Sequence, residues 1–393
     1  MTHRIVGGVL RREFLQLALA TGATAGLTGL PLRAALAAKG TLNFADIGVG
    51  DPGGDWSRFT KASDWNVNLV AMGNAPSAVL NVLIAGGGQG TYDVINIVGG
   101  MQKPLVDNNL ILPIDTTRMP NWGKDDYVKE FMKEGQPGFN FIGYQSKIYG
   151  VPTVLQGDSF AYLPEKTGPL DSYAALFDPK WKGFVALEDN YTTAGQKTAL
   201  YLKASNLAAI NDPADMTPAE IRTVTDFLIA KKKEGQFRVI WSSFEQAVNL
   251  IVSKEVYVID CWEPMVFVAK TKGIDAVYAD PKEGHLLWAM AAYLVNNPRR
   301  PPERTEAAYA LLDFMLGGWY GAKITEMRGY MTNPQAPVYA RENAAEFPAD
   351  RAKRVADITE NVRRKLAKGG TWQNRWPTHV EVYESEWARF KAA

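Results

Sequence analysis

The chain has 393 residues, with 43 Lys and Arg against 42 Asp and Glu, three His and a single cysteine, Cys261. The near-neutral charge argues against nucleic acid and anionic membranes as partners. A single cysteine excludes an internal disulfide and a thiolate metal cage. His285 and His379 lie far apart with no ligand spacing, so we expect no metal site, no cofactor and no Ser-His-Asp triad.

Residues 1–37 have the pattern of a bacterial export signal. Arg11-Arg12 stands in the frame R-R-x-F-L, a modestly apolar stretch follows over 17–31, and Ala35-Leu-Ala37 is a small-x-small cleavage pattern. Arg33, close to that pattern, favours the twin-arginine route over the general secretory route. We therefore predict a cleaved twin-arginine signal peptide and a protein that works in the periplasm.

The next part of the chain alternates short strands and helices. Apolar alternation and Gly-rich stops predict strands over 41–45, 67–71 and 92–98, helices over 75–85 and 101–109, and an extended segment over 110–114. This rhythm is typical of an α/β lobe.

A loop-like crossing over 134–152 leads to a second α/β pattern. We predict strands over 185–189, 255–259 and 286–295, and helices over 193–204, 218–233, 244–253 and 305–316. The expected fold is a two-lobed α/β protein. Lobe 1 takes residues 38–150 plus about 265–315, lobe 2 takes 151–264 plus about 316–393, and a ligand cleft lies between them.

Catalytic signatures are missing from the sequence. Gly86-Gly-Gly-Gln-Gly90 follows a helix rather than a strand and lacks the Lys-Ser/Thr of a phosphate-binding loop, so it is interpreted as a helix C-cap. No G-x-S-x-G, H-E-x-x-H or C-x-x-C motif is present. We therefore expect no enzyme. A hydrolase that uses a carboxylate pair stays open as an alternative of another class.

Acidic and aromatic side chains occur together where predicted strands end. A tryptophan face attracts an ammonium group, and a carboxylate adds a charge-assisted hydrogen bond. Together they suit an organic amine. The residues in this pattern are Asp158, Glu188, Asp189, Trp241, Trp262 and Glu263.

Several motifs, in this order over about 250 residues, resemble the spermidine/putrescine-binding group of bacterial ABC-importer solute-binding proteins, which have the type II periplasmic binding fold. The resemblance covers nearly all of residues 40–340. The motifs are Thr91-Tyr-Asp-Val-Ile, Lys147-Ile-Tyr-Gly-Val-Pro152, the segment 172–183, Trp262 with Phe267-Val-Ala-Lys270, Pro281-Lys-Glu-Gly284 with Trp288, and Gly329-Tyr-Met-Thr-Asn333.

The resemblance implies roles for particular residues. Asp189 matches the family acid that meets a ligand amine, Trp241 and Trp262 match the two tryptophans that pack against the polyamine, and Tyr330 lies in a motif beside the cleft. Asp158 and Glu263 are two further candidate site residues: either these acids compensate for ligand-binding groups missing from the first lobe, or the ligand differs from that of the family.

The chain departs from the family pattern mainly in the first lobe. The loop Asp46-Ile-Gly-Val-Gly50 has no aromatic residue, and Val98-Gly-Gly100 stands where Ser and Tyr are usual. Thr192 replaces a carboxylate, and Trp288-Ala-Met290 replaces W-x-D. Most polyamine-contacting groups of that lobe are therefore absent.

The sequence predicts a monomeric solute-binding component of an ABC importer that binds a small organic cation, such as a polyamine, and delivers it to a membrane permease. An alternative ligand is a neutral or anionic solute that the Gly-rich loops of the first lobe bind with backbone N–H groups.

Overall fold

A computed structural model describes residues 38–72, 83, 87–124, 134, 137–373 and 376–393. The predicted signal peptide, residues 1–37, lies outside this part of the chain, as does the predicted helix over 75–85 apart from Leu83. Within the described part, no helix has both the length and the apolar character needed to cross a membrane.

The described residues form a mixed α/β structure around one ten-stranded sheet, which confirms the predicted fold class. The strand order along the main path is β2-β1-β3-β11-β6-β9-β7-β8, with β10 beside β6 and β12 beside β11. A separate two-stranded sheet joins β4 to β5. The strands are β1 Gly40–Asp46, β2 Trp65–Ala71, β3 Val94–Val98, β4 Gly143–Tyr144, β5 Lys147–Ile148, β6 Gly150–Tyr162, β7 Val185–Glu188, β8 Phe237–Trp241, β9 Val258–Cys261, β10 Val277–Tyr278, β11 His285–Leu294 and β12 Gly370–Trp372.

Two long antiparallel strands, β6 and β11, run through the centre of the sheet and are buried along their whole lengths. On one side of them β1, β2 and β3 are parallel to each other, and on the other side β7 is parallel to both β8 and β9. The sequence did not predict strand β6: its first residues fall at the end of the crossing over 134–152, and Gly157, Asp158 and Ser159 interrupt its apolar character. Pro152 is accommodated at an irregularity, since the register shifts opposite it between Met290 and Ala291.

Helices cover the sheet. Helix α6 shows how local sequence sets its bounds, because Pro218 stands at its first turn and Thr217 and Glu220 form a complete capping box. Its predicted range is confirmed. The helices are α1 Ser57–Ser63, α2 Gly88–Thr91, α3 Gln102–Asp107, α4 Pro164–Thr167, α5 Gln196–Ala204, α6 Pro218–Lys233, α7 Phe244–Val252, α8 Glu263–Thr271, α9 Pro302–Met315, α10 Gly318–Arg328, α11 Gln335–Glu342, α12 Ala349–Lys368 and α13 Val380–Ala392.

The buried apolar residues form separate clusters on the two sides of the central strands. Side chains of β1, α9, α10 and α11 share one cluster, which contains Phe44 and Tyr320. Side chains of β7, α6 and α13 share another, which contains Leu187 and Trp387. The two-lobe boundaries remain a proposal. The packing favours one change to the predicted boundaries. Residues 318–366, which the sequence assigned to lobe 2, pack with the cores that contain β1 and β3 and would therefore belong to lobe 1.

Candidate functional site

A cavity of about 130 Å³ lies where several strands of the sheet end. Its lining comes from both sides of the central strands: the segments after β1 and β3 on one side, and those after β7 and β9 on the other. In open α/β sheets, ligands bind outside the carboxyl ends of strands. We call this space the carboxylate cavity. Its lining residues are Ile47, Val49, Ile97, Val98, Gly99, Gly100, Met101, Asp158, Glu188, Asn190, Tyr191, Thr192, Thr193, Trp262, Trp288, Met290, Tyr330, Gln373, Trp376 and Pro377.

Two carboxylates line the cavity, and both are buried. Asp158 of β6 is 2% exposed, and burial raises the pKa of its carboxyl. The positive charge of Lys197 lowers that pKa in part. The nearby Trp288 indole lowers it further, although the two side chains do not meet the geometry of a hydrogen bond. Glu188, the last residue of β7, is 5% exposed, and burial together with the neighbouring Asp260 raises its pKa to about 8.

A fully buried ion pair stands behind these carboxylates. Lys197 Nζ of α5 lies 2.5 Å from Asp260 Oδ1 of β9. Burial alone would lower the pKa of Lys197, but the charges of Asp260 and Asp158 outweigh it and raise that pKa. Lys197 is paired with Asp260, and the described cavity lining contains no Lys, Arg or His. When Asp158 and Glu188 are ionised, no cation of that lining balances their charge.

Aromatic rings form the other walls of the cavity. The Trp262 indole Nε1 donates a hydrogen bond of 3.0 Å to Glu188 Oε2, which fixes the ring beside the carboxylate. Trp288 and Tyr330 pack edge to face, with ring centroids 5.2 Å apart. Trp288 Nε1 is buried and has no hydrogen-bond partner among the described residues. The described cavity lining therefore combines two acids with several aromatic rings, an arrangement that suits an ammonium group.

The structure brings together four of the seven residues that the sequence assigned to the ligand: Asp158, Glu188, Trp262 and Tyr330 all line the carboxylate cavity. Whether they bind a ligand stays a prediction.

The other three assigned residues lie outside the cavity lining. Trp241 is 1% exposed, donates from Nε1 to the Asp260 carbonyl at 2.7 Å and packs behind Trp262. Asp189 accepts hydrogen bonds from Trp387 Nε1 at 2.8 Å and Lys391 Nζ at 3.3 Å, both on α13.

Glu263, at the start of α8, is held by α12. Its carboxylate pairs with Lys365 Nζ at 2.7 Å and accepts hydrogen bonds from Asn361 and Gln156. Asp189 and Glu263 are thus both bonded to side chains of the last two helices, which lie far away in sequence.

Trp288, Gln373 and Trp376 also line the cavity, and the sequence did not mark any of them as a site residue. The signal for Trp288 was present, because it follows the Pro281-Lys-Glu-Gly284 motif. Gln373 is 5% exposed, and its Oε1 has no hydrogen-bond partner among the described residues. No sequence pattern marked the segment that carries Gln373 and Trp376, which depends on the pairing of β12 with β11.

Four glycine N–H groups of the Gly-rich loops already have acceptors within the protein. Those of Gly48 and Gly50 donate to Asp46 Oδ2 at 2.9 and 2.8 Å. Those of Gly99 and Gly100 donate to a backbone carbonyl and a side-chain oxygen at 2.9 and 3.0 Å. These donors are therefore not directed at a solute.

A second, larger space of about 820 Å³ adjoins the carboxylate cavity. We call it the outer groove. It shares Ile47, Val49, Trp262 and Tyr330 with the cavity. Its remaining lining residues are Gly48, Phe244, Glu245, Glu263, Pro264, Val266, Phe267, Val268, Lys270, Val277, Tyr278, Met327, Arg328, Gly329, Arg354, Ile358 and Asn361.

Within the described ranges, no group of three or more His, Cys, Asp or Glu side chains could hold a metal ion. Cys261 is buried, and burial raises the pKa of its thiol well above the ordinary value. The site is therefore made of carboxylates and aromatic rings.

The chain is similar in sequence and in fold to known proteins. The chain is 24% identical over 353 residues to spermidine/putrescine-binding periplasmic protein 1 of Haemophilus influenzae, covering 87% of this chain and 86% of that protein. It is 23% identical to the putrescine/agmatine-binding protein of Pseudomonas aeruginosa, covering 74% of this chain and 78% of that protein. The fold matches a putative spermidine/putrescine ABC transporter from Listeria monocytogenes with a TM-score of 0.69 at 18% identity, covering 89% of this chain and 98% of that one.

The two curated relatives are binding proteins by name, and the structural match shows that this chain shares its fold with the solved protein. The family model for bacterial extracellular solute-binding proteins matches residues 57–354, which is most of the chain. The protein belongs to the bacterial extracellular solute-binding protein family.

Proposed function

We propose that the protein binds a small organic cation, a polyamine or related amine, as the solute-binding component of an ABC importer. The observation that carries this proposal is the pair of buried carboxylates, Asp158 and Glu188, in a cavity whose described lining holds no Lys, Arg or His. A bound ammonium group supplies the missing positive charge and satisfies both acids. The relatives named for spermidine, putrescine and agmatine support the same ligand class.

The cation would be held by aromatic rings of the lining as well as by charge. Cation–π contact with a tryptophan contributes about 0.5–2 kcal/mol, depending on how far the pair is removed from water. Trp262 is already fixed against Glu188 by its indole hydrogen bond, so little side-chain entropy is lost when a ligand arrives. The alkyl part of an amine would contact Ile97, Met101 and Met290.

A neutral or anionic solute is less well supported. That alternative depended on free backbone N–H groups in the first-lobe loops, and the four described N–H groups of Gly48, Gly50, Gly99 and Gly100 all have acceptors within the protein. An anion in the carboxylate cavity would also face Asp158 and Glu188 at close range, which is repulsive when either acid is ionised.

A hydrolase based on this carboxylate pair is the alternative of another class. The relatives are named as binding or transport proteins, which favours binding. A turnover assay decides between the two: an enzyme that uses the pair loses rate in Glu188→Gln at saturating substrate, whereas a binding protein shows no turnover.

We further propose that the chain is exported by the twin-arginine route, is cleaved near Ala37, acts as a monomer in the periplasm and docks on an ABC permease. The Arg11-Arg12 frame and the Ala35-Leu-Ala37 pattern support export. The name of the Haemophilus influenzae relative supports the compartment.

Calorimetric titration with putrescine, spermidine and agmatine tests the ligand class. We expect at least one of them to bind, and Glu188→Gln to weaken that binding by about 10- to 100-fold, because one charge-assisted hydrogen bond is lost. Asp189→Asn is the matched control: it removes the adjacent carboxylate, which lies outside the cavity lining, and we expect a change of less than about threefold. Heat with an anionic or neutral solute that carries no amino group, and none with any amine, would contradict the proposal.

A further inference from the structure

The outer groove has a charge pattern opposite to that of the carboxylate cavity. Three cationic side chains line it: Lys270, Arg328 and Arg354. Lys270 is exposed, whereas Arg328 and Arg354 are half-buried. None of the three forms an ion pair with another described residue, although the buried or half-buried Lys197, Arg351 and Lys365 do. The proposed amine cavity does not account for them.

The two guanidinium groups are held in place by contacts that are not ion pairs. Arg328 Nη2 donates to the Asp51 carbonyl at 3.3 Å, while its buried Nε has no hydrogen-bond partner in the described part of the chain. The Arg354 guanidinium lies 4.0 Å from the ring centroid of Phe267, a stacking contact that leaves its N–H edge available. Fixed guanidinium donors of this kind suit carboxylate and other oxyanion acceptors.

The acids near these cations do not cancel their charge. Glu263 is neutralised by Lys365. Asp46 interacts with the charge of Arg328 without forming an ion pair with it, and Asp46 lies outside the described groove lining, where its carboxylate accepts hydrogen bonds from Gly48, Gly50 and Asn96. Glu245 is the remaining acid of the described groove lining, and it is exposed. The groove therefore carries an excess of positive charge.

The two spaces are adjacent, because Ile47, Val49, Trp262 and Tyr330 line both of them. Asp158 and Glu188 line the carboxylate cavity, and Arg328 and Arg354 line the outer groove. A ligand that occupies both spaces would meet carboxylates at one end and guanidinium groups at the other. Charge complementarity of this kind gives specificity for a ligand with both signs of charge.

We propose that the outer groove is an anion subsite, and that the ligand of this protein is an amine that carries a carboxylate or similar oxyanion at its far end. The proposal rests on the proposed function, because it places the ammonium group in the carboxylate cavity. It adds a second recognition site and narrows the ligand class from amines to amines with an oxyanion.

Matched compounds test the proposal. For chain lengths of four to eight carbons, calorimetry on the purified protein compares the simple alkylamine, the diamine and the ω-amino acid. We expect at least one ω-amino acid to bind about tenfold or more tightly than the alkylamine of the same length, because its carboxylate gains charge-assisted hydrogen bonds.

Two arginine variants test whether the outer groove provides this gain in affinity. Arg328→Gln and Arg354→Gln should each remove most of the advantage of the ω-amino acid and leave the alkylamine affinity within about threefold. Lys353→Gln is the matched control, since it removes one exposed cation next to Arg354 on α12 and should leave the advantage intact. Circular dichroism melts show whether each variant is folded.

The outcomes separate this inference from the proposed function. If diamines bind but the carboxylate adds no affinity at any length, or if its advantage survives in both arginine variants, the anion subsite is wrong and the amine cavity stands. If no amine of any series binds, the proposed function fails and the subsite fails with it.

Discussion

Glu188 is a carboxylate whose surroundings favour its protonated form. Burial raises its pKa to about 8, and the neighbouring Asp260 acts in the same direction. Lys197 does not cancel the effect, because it pairs with Asp260 at 2.5 Å. In the free protein near neutral pH, the cavity therefore holds less negative charge than its two acids suggest. A bound cation favours the ionised form, so binding and loss of the proton are linked.

We predict that affinity for an amine rises as the pH is raised from 6 to 9. Below pH 8 the ligand must displace a proton from Glu188, and above it the carboxylate is already ionised, while an alkylammonium group with a pKa near 10 stays charged. Calorimetry in buffers of different ionisation enthalpy should show proton release approaching one per ligand at pH 6–7. In Glu188→Gln the affinity should be weaker and nearly independent of pH in this range. A flat profile in the unchanged protein would contradict the proposed role of Glu188.

At the scale of elements, the last two helices decide which acids remain available. Helix α12 brings Lys365 to Glu263, and α13 brings Trp387 and Lys391 to Asp189. Lys365 also donates to Gln156 Oε1 and the Gly157 carbonyl of β6, so it ties α8, α12 and the central sheet together. These contacts make Glu263 part of a structural network, with its charge already balanced.

A double-mutant cycle tests this reading of the α8–α12 contact. Glu263→Gln leaves the Lys365 ammonium buried at 6% exposure without its counter-charge, so we expect a loss of about 1–3 kcal/mol in the free energy of unfolding. Combining it with Lys365→Met should recover part of that loss, with a coupling energy of about 0.5–3 kcal/mol. Denaturant unfolding measures stability, and calorimetry should find amine affinity within about threefold of the unchanged protein. A large loss of amine affinity in a fully stable Glu263→Gln variant would instead show that Glu263 takes part in ligand binding.

At the scale of the whole molecule, the cavity draws its walls from both sides of the central strands β6 and β11. Loops after β1 and β3 contribute from one side, and loops after β7 and β9 from the other. A ligand that contacts both sides of the cavity favours a conformation in which the two sides are close together, because only that conformation makes all the protein–ligand contacts. The proposed division into two lobes likewise predicts that a bound ligand brings the two sides of the cavity together.

We therefore predict that a saturating amine lowers the radius of gyration in solution scattering and raises the melting temperature. The free energy of unfolding increases with the ratio of ligand concentration to Kd, by about 2.7 kcal/mol when the ligand concentration is 100 times Kd. Glu188→Gln at the same amine concentration serves as the control and should show a smaller change in both measurements. An unchanged radius in a protein that calorimetry shows to be saturated would mean that the site binds without closure.

The sequence by itself determined the elements whose signals are local. Helix α6 has its Pro218 start and its Thr217–Glu220 capping box within a few residues, and its predicted bounds agree with the structure. The order of short motifs along the chain indicated the family that the comparisons establish. The long strand β6 was not predicted, because its polar residues are covered by neighbouring strands that the local pattern does not reveal.

Only the tertiary structure decided which acids and aromatic rings face the cavity. Glu188 and Asp189 are neighbours in the chain, yet Glu188 lines the cavity while Asp189 is bonded to α13, because successive side chains at a strand end point to opposite sides. Likewise Trp288 lines the cavity while Trp241 is packed behind Trp262. The partners that fix these directions lie up to 202 residues away along the chain, a distance over which sequence pattern carries no information about side-chain contacts.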